Sequence, residues 1–182
     1  MGQSCQICQL QKKLASCSLI VSDFDGVHTP NSAIVDSEGY EQTIVNRSDG
    51  LGIKMWLSLG YEFLILSQDE TGLARRRAMK LGADLIDGAQ DKSSILKQFL
   101  EGRSIGSNFS YIGNDTNDIR AMEMATVSFS VADALPMVIA KSDLTTRLAG
   151  GNGAVREVLE IILWAKQGQC YRCFDESINS AK

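Results

Sequence analysis

The sequence has no excess of positive charge. Its 18 basic residues are outnumbered by 22 acidic ones, giving a net charge of -4 and a pI near 5. That balance argues against nucleic-acid binding, which needs clustered lysine and arginine against phosphates. The one basic cluster, Arg75-Arg76-Arg77 with Lys80, reads as a solvated helix face. No apolar run reaches transmembrane length, and Met1-Gly2-Gln3-Ser4-Cys5 opens no apolar signal segment, so no membrane partner is expected and the expected location is cytoplasmic. Histidine occurs once, at His28, read as a substrate contact or as a packing residue in a turn rather than as a metal ligand. What remains is ordinary: 182 residues with 44% hydrophobic and 22% charged side chains suffice for one compact domain with a full core.

The most informative segment is Leu19-Ile20-Val21-Ser22-Asp23-Phe24-Asp25-Gly26-Val27-His28-Thr29. Leu19 to Ser22 read as a short buried strand, and period-2 geometry would point Asp23 and Asp25 the same way at its carboxyl end, where open α/β sheets bind ligands. One carboxylate there can attack phosphorus while its neighbour handles protons. Two such anions away from water repel each other unless a cation sits between them, which implies a divalent metal on oxygen ligands, Mg²⁺ above all. The alternative is an acidic turn after a strand.

Three later features converge on the same edge. Phe63-Leu64-Ile65-Leu66-Ser67 reads as a second buried strand delivering a hydroxyl. Lys92 opens an amphipathic helix, where the dipole opposes a cation and calls for a compensating anion. Tyr111-Ile112-Gly113-Asn114-Asp115-Thr116-Asn117-Asp118 is another strand end, followed by oxygen ligands that open a helix. Taken singly, these are also what a helix cap, a surface lysine and an Asx-turn look like.

The coarse layout alternates. Strand 19 to 23 leads to a hairpin within 29 to 46, helix 49 to 59, strand 62 to 66, helix 70 to 81, strand 83 to 86, helix 92 to 101 and strand 109 to 113. Helix 116 to 125, strand 126 to 131, helix 133 to 140 and helix 153 to 166 follow. This pattern predicts an α/β fold, a doubly wound, Rossmann-like parallel sheet with a β-hairpin inserted after the first strand and no cap domain. Residues 1–18 read as an N-terminal extension, 19–167 as the folded domain and 168–182 as a C-terminal tail. Trp56 and Met55 are expected to face the core or a subunit interface.

With these motifs in order, the chain resembles the haloacid dehalogenase (HAD) superfamily of aspartate-nucleophile phosphatases. Within it the chain looks most like the capless branch of 3-deoxy-D-manno-octulosonate 8-phosphate phosphatases, nonulosonate 9-phosphate phosphatases and the C-terminal domains of CMP-sialic acid synthetases. Asn46-Arg47-Ser48-Asp49-Gly50-Leu51-Gly52, Arg77, Gly88 and Gly150-Gly151-Asn152-Gly153-Ala154-Val155-Arg156-Glu157 carry that likeness. The resemblance implies that Asp23 is the nucleophile forming an aspartyl phosphate and that Asp25 is the general acid and base. Ser67 and Lys92 would bind phosphate, and Asp118 would partner Lys92. Mg²⁺ would be held by Asp23, the Asp25 carbonyl and Asn114 or Asp115, Asn114 standing where many relatives carry an acidic ligand. His28, Thr29, Arg47, Asp49 and Arg77 are the candidate substrate contacts.

The implied substrate is a sugar-acid phosphate of the lipopolysaccharide or sialic acid kind. Another small phosphorylated substrate, or a non-catalytic oligomerisation or regulatory module, is the alternative. Branch members form homotetramers in which projecting hairpins and tails close adjacent sites, so the same is expected here. With 18 residues ahead of Leu19, no fused synthetase domain is expected. Finally, Cys5-x-x-Cys8 and Cys170-x-x-Cys173 stand at zinc-knuckle spacing near the two ends, read either as a shared structural Zn²⁺ clamp or as free thiols.

Overall fold

Apolar runs with little alternation suit strands covered on both faces, and such runs form the central sheet. The computed structural model describes residues 5–103 and 108–173; expectations resting on 1–4 and 174–182 lie outside the described residues. In chain order the elements are α1 (Gln6–Ser16), β1 (Leu19–Ser22), β2 (Ile34–Val35), β3 (Glu41–Gln42), α2 (Arg47–Ser58), β4 (Glu62–Leu66), α3 (Leu73–Leu81) and β5 (Asp84–Ile86). Then come α4 (Lys92–Glu101), β6 (Phe109–Gly113), a 3₁₀ turn (Thr116–Asp118), α5 (Ile119–Met122), β7 (Val127–Ser130), α6 (Pro136–Lys141), β8 (Leu144–Thr145) and α7 (Ala154–Lys166).

Six strands pair in the order β5-β4-β1-β6-β7-β8, all parallel. From β1 the chain winds outward through β4 to β5, then returns over the sheet to β6 on the other flank of β1. Right-handed crossovers put α2 and α3 on one face and α4, α5 and α6 on the other; α7 and α1 pack with α2 on the first face. The winding direction therefore reverses between β1 and β6, and the crevice at their carboxyl ends is where such sheets take ligands. The expected doubly wound sheet with no cap domain is the fold observed, and β2 and β3 form the expected hairpin.

Element boundaries move for local reasons. α2 starts at Arg47 because the Asn46 side chain caps it, accepting from the Ser48 and Asp49 N–H groups. α3 waits until Leu73 because Gly72 sits at φ 84°, and α6 begins at Pro136, since the residue before a proline is held out of the helical region. β8 is a two-residue edge too short to leave a pattern. The layout assigned no element to residues 1–18, yet α1 forms there and buries Ile7 and Leu14; Ile7, Leu10 and Leu14 were its helical signal. Trp56 is buried and donates from Nε1 to the Glu62 carbonyl at 2.8 Å.

The Gly150-Gly151-Asn152-Gly153 loop leans on the first-motif turn. A Cβ on Gly150 would sit 1.9 Å from the Gly26 carbonyl oxygen, and one on Gly151 would sit 2.3 Å from Pro30 N. Only glycine permits this approach, and Gly151 N–H donates to the Val27 carbonyl at 2.9 Å. On the inner side of the same turn lies His28, stacked on Phe24, edge-on to Phe63 and sharing a 2.8 Å hydrogen bond with Ser22 Oγ. Burial, with Arg77 second, drives its basicity from 6.5 down to about 3. The folded state therefore holds His28 neutral while the unfolded chain protonates it below 6.5. Its contribution is whole above that pH and falls by about 1.4 kcal/mol per further pH interval of one as acid is added. His28→Gln is expected to flatten the fall in urea midpoint between pH 6.5 and pH 4; parallel profiles for parent and variant would contradict the assignment.

Candidate active site

Asp23 extends β1 by one residue, its N–H donating to the Ile112 carbonyl at 3.0 Å. The pleat stops there. Val27 and His28 both donate N–H to the Phe24 carbonyl, and Gly26 sits at φ 76°. A turn, rather than strand alternation, thus places Asp25, which corrects the period-2 expectation. Asp23 ends up buried while Asp25 is exposed at the mouth of a cleft of about 240 Å³.

Lys92, the first residue of α4, is 2% exposed. Its Nζ lies 2.7 Å from Asp23 Oδ1 and 2.8 Å from Asp118 Oδ1. The two carboxylates supply the anion that a lysine at this helix end requires. Burial alone would strip its proton, yet Asp23 and Asp118 hold its basicity above the ordinary lysine value. Asp118 is fixed in turn by the Tyr111 hydroxyl, which donates to Oδ1 at 2.8 Å, and by the Asn114 N–H, which donates to Oδ2 at 2.9 Å. Burial first, and Asp118 second, raise the Asp23 carboxyl above its ordinary range. Asp25 is raised as well, by the partial loss of water around it at the cleft mouth and then by Asp69, which favours a proton it can give away.

Ser67 follows β4 and is buried. Its Oγ accepts from the Asp69 N–H at 3.1 Å, a contact that uses a lone pair and leaves the O–H to be donated. Asn114 is buried with Oδ1 unpartnered, whereas Asp115 is spent on capping, its Oδ1 accepting from the Thr116 N–H at 2.5 Å and the Thr116 hydroxyl at 3.1 Å. An orphaned amide oxygen in a crevice with Asp23 and Asp25 is a hard-oxygen donor set that suits a divalent cation.

The candidate substrate contacts do not gather at this mouth. It is lined by Asp25, Asn31, Ser32, Glu41, Thr43 and Asp69 among others, with no lysine or arginine among the described residues. His28 and Thr29 point inward, Thr29 Oγ1 accepting from the Gly26 N–H at 3.2 Å. Asp49 is buried and accepts from the Arg156 N–H at 2.7 Å, tying α2 to the start of α7; burial first pushes its carboxyl up to about 6. Arg77 donates to the Asn46 carbonyl at 2.9 Å and, with Arg47, Lys54 and Lys80, lines a separate groove of about 430 Å³.

No protein-family model matches the chain. Among curated proteins, the 3-deoxy-D-manno-octulosonate 8-phosphate phosphatase KdsC of Escherichia coli K12 is 34% identical over 168 residues, covering 91% of this chain and 89% of the relative. The chain belongs to the haloacid dehalogenase phosphatases. Among solved structures, the 3-deoxy-D-manno-octulosonate 8-phosphate phosphatase of Moraxella catarrhalis, in complex with magnesium, phosphate and KDO, is 32% identical with a TM-score of 0.84, covering 96% of this chain and 98% of that one. The cobalt-bound counterpart from Haemophilus influenzae is 30% identical with a TM-score of 0.81, covering 85% and 92%.

The HAD phosphatase holds several site residues that sequence reasoning missed. Tyr111 lies within a strand buried along its whole length, so no alternation set it apart; the signal was a phenol that must find a partner once buried. Gln68 accepts from Asn117 Nδ2 at 2.7 Å and donates to the Gln90 carbonyl at 3.0 Å, bridging three motif loops. Arg120 stands beside Lys92, Thr116 and Asn117 along a second hollow of about 370 Å³. Tyr111→Phe is expected to lower stability by about 1 kcal/mol in chemical denaturation. Lys92→Met leaves two buried carboxylates without their cation and should cost about 3–5 kcal/mol at neutral pH. Comparable small losses for both would contradict the network.

Proposed function

We propose that this HAD phosphatase is a Mg²⁺-dependent phosphomonoesterase that passes the phosphoryl group through Asp23. Its proposed substrate carries a terminal phosphate on an eight- or nine-carbon 3-deoxy-2-keto sugar acid. The observation that carries the chemistry is the buried Asp23 carboxylate pinned by Lys92 at 2.7 Å beside the orphaned Asn114 oxygen. The substrate class is supported by the octulosonate phosphatase relatives and by the KDO molecule in the Moraxella structure.

Lys92 and the Phe24 N–H, at 2.7 Å each, both bond Asp23 Oδ1, which favours Oδ2 as the attacking oxygen. As the Asp23–phosphorus bond forms, the phosphorus–ester oxygen bond breaks and Asp25 passes its proton to the leaving alkoxide. Asp25, now ionised, removes a proton from water as that water attacks the aspartyl phosphate, releasing phosphate and regenerating Asp23. Ser67 Oγ–H and Lys92 hold the phosphoryl oxygens throughout. Asp23, the Asp25 carbonyl and Asn114 would hold Mg²⁺, which, when bound, neutralises charge on the phosphoryl group and keeps Asp23 ionised. Asp115 is left as the cap of the helix that follows.

The lining of the mouth favours an assembly. With Asp25, Glu41 and Asp69 around it and no lysine or arginine among the described residues of its lining, a sugar-acid carboxylate needs a positive side chain from elsewhere, and water must be kept from the aspartyl phosphate. A neighbouring subunit of a homotetramer would supply both. The hairpin that borders the cleft exposes Ile34 (63%), Val35 (59%) and Tyr40 (67%), apolar surface suited to burial against another copy. The same acidic lining favours a second reading, a phosphatase for a small substrate without a carboxylate.

The test is phosphate release from octulosonate, nonulosonate and neutral sugar phosphates with and without Mg²⁺. Turnover of an ulosonate phosphate is expected, with loss of at least about 10³-fold in Asp23→Asn. Turnover confined to neutral sugar phosphates would favour the second reading, and activity surviving Asp23→Asn would refute the nucleophile. Because an amide oxygen brings no charge, Asn114→Asp is expected to lower the Mg²⁺ concentration for half-maximal activity about tenfold. An unchanged requirement would remove Asn114 from the metal site.

A further inference from the structure

Four of the five cysteines stand together, far apart in sequence. Cys5 caps the start of α1, Cys8 lies in its first turn, and Cys170 and Cys173 follow α7. The Sγ atoms of Cys5 and Cys8 are 3.4 Å apart, those of Cys5 and Cys170 3.4 Å, those of Cys8 and Cys173 3.7 Å and those of Cys5 and Cys173 3.6 Å. All four lie within 4.8 Å of one another. A tetrahedral ion with metal–sulfur bonds of about 2.3 Å separates its sulfurs by roughly 3.8 Å. The four separations, 3.4 to 3.7 Å, lie within a few tenths of an ångström of that figure and far beyond the roughly 2.05 Å of a disulfide. The fifth cysteine, Cys17, is buried elsewhere and takes a hydrogen bond from Ser110 Oγ.

We propose that Cys5, Cys8, Cys170 and Cys173 form a closed structural Zn²⁺ site that clamps the amino-terminal helix to the segment after α7. Four thiolates with no open position make the site structural rather than catalytic. The choice of zinc over Mg²⁺ follows from ligand softness, since thiolates select zinc and the carboxylate–amide donors at the sheet edge select hard cations. The protein thus separates two metals by donor chemistry. Second contacts hold the same elements in place. Gln6 Nε2 donates to the Asp143 carbonyl at 2.6 Å, Arg172 to the Thr145 carbonyl at 2.6 Å and Lys166 Nζ to the Ala15 carbonyl at 2.8 Å. The cross-link closes nearly the whole chain into a loop, where restricting the unfolded ensemble gives most.

The test is metal content and cobalt substitution of the full chain purified under reducing conditions. The parent is expected to carry close to one zinc per chain. Replacement by Co²⁺ should give the intense visible bands and thiolate-to-metal charge transfer of a tetrahedral tetrathiolate site. Cys8→Ser combined with Cys173→Ser should lose the zinc and melt earlier than the parent, while Asp23→Asn keeps its zinc and so separates this site from the phosphatase centre. Should the double variant fail to fold, the cobalt spectrum and a lower melting temperature on chelation, restored by zinc, carry the test on the parent alone. A parent that takes up neither ion, or that holds these cysteines as disulfides, would overturn the proposal.

Discussion

Lys92 lies between Asp23 and Asp118 at 2.7 and 2.8 Å, 2% exposed, and without it two carboxylates at that depth would face each other with no opposite charge between them. The site's other arrangements follow from this need to hold charge away from water. Asp118 serves the ammonium and is itself saturated by Tyr111 and by the backbone of its own turn. Asp23 shares the same cation. A buried ion set of this kind is weak evidence for stability, because desolvation opposes the Coulomb gain. Its value lies in holding a carboxyl group and a cation at fixed positions, which phosphoryl transfer exploits through positioning and electrostatics.

The fold delivers these groups from separate stretches of chain. Asp23 follows β1, Ser67 follows β4, Lys92 opens α4 and Asn114 to Asp118 follow β6, so four successive returns of the chain end at one crevice where the sheet reverses its winding. Between them the first-motif turn is braced by backbone as well as by the inward-facing His28 and Thr29 side chains. Gly150 and Gly151 approach Gly26 and Pro30 so closely that any Cβ would displace the turn carrying Asp25. The glycine block near the end of the chain is thereby tied mechanically to the carboxylates near its start.

Much of this was legible in the sequence because each motif couples a buried apolar run to a polar residue at its end. Leu19 to Asp23, Phe63 to Ser67 and Tyr111 to Asn114 each carry that signature, and Lys92 announced itself as a cation at a helix start. The rest was hidden for definite reasons. Asp25 is placed by a turn, which strand periodicity does not describe. Asp49 and Arg77 have partners distant in sequence, and His28 and Thr29 turn inward onto Ser22 and Gly26 within a turn that strand periodicity does not describe, so the string alone could not tell an inward-facing side chain from a substrate contact. The sequence shows the cysteine pairs at each end but not their meeting, because that depends on α1 packing against α7.

The chain therefore reads as two chemistries on one scaffold, a hard-oxygen crevice at the sheet edge and a sulfur cluster joining the ends. The central claim is that Asp23 itself carries the phosphoryl group. The most direct measurement is acid-quenched single turnover of a substrate phosphate, followed by peptide mass spectrometry across residues 19–29. The account predicts a transient phosphoryl adduct on Asp23 that accumulates when Asp25 is replaced by a residue able neither to protonate the leaving group nor to take a proton from the water, provided a leaving group needing no proton is used. Turnover with no adduct at any quench time, or an adduct on another residue, would contradict it.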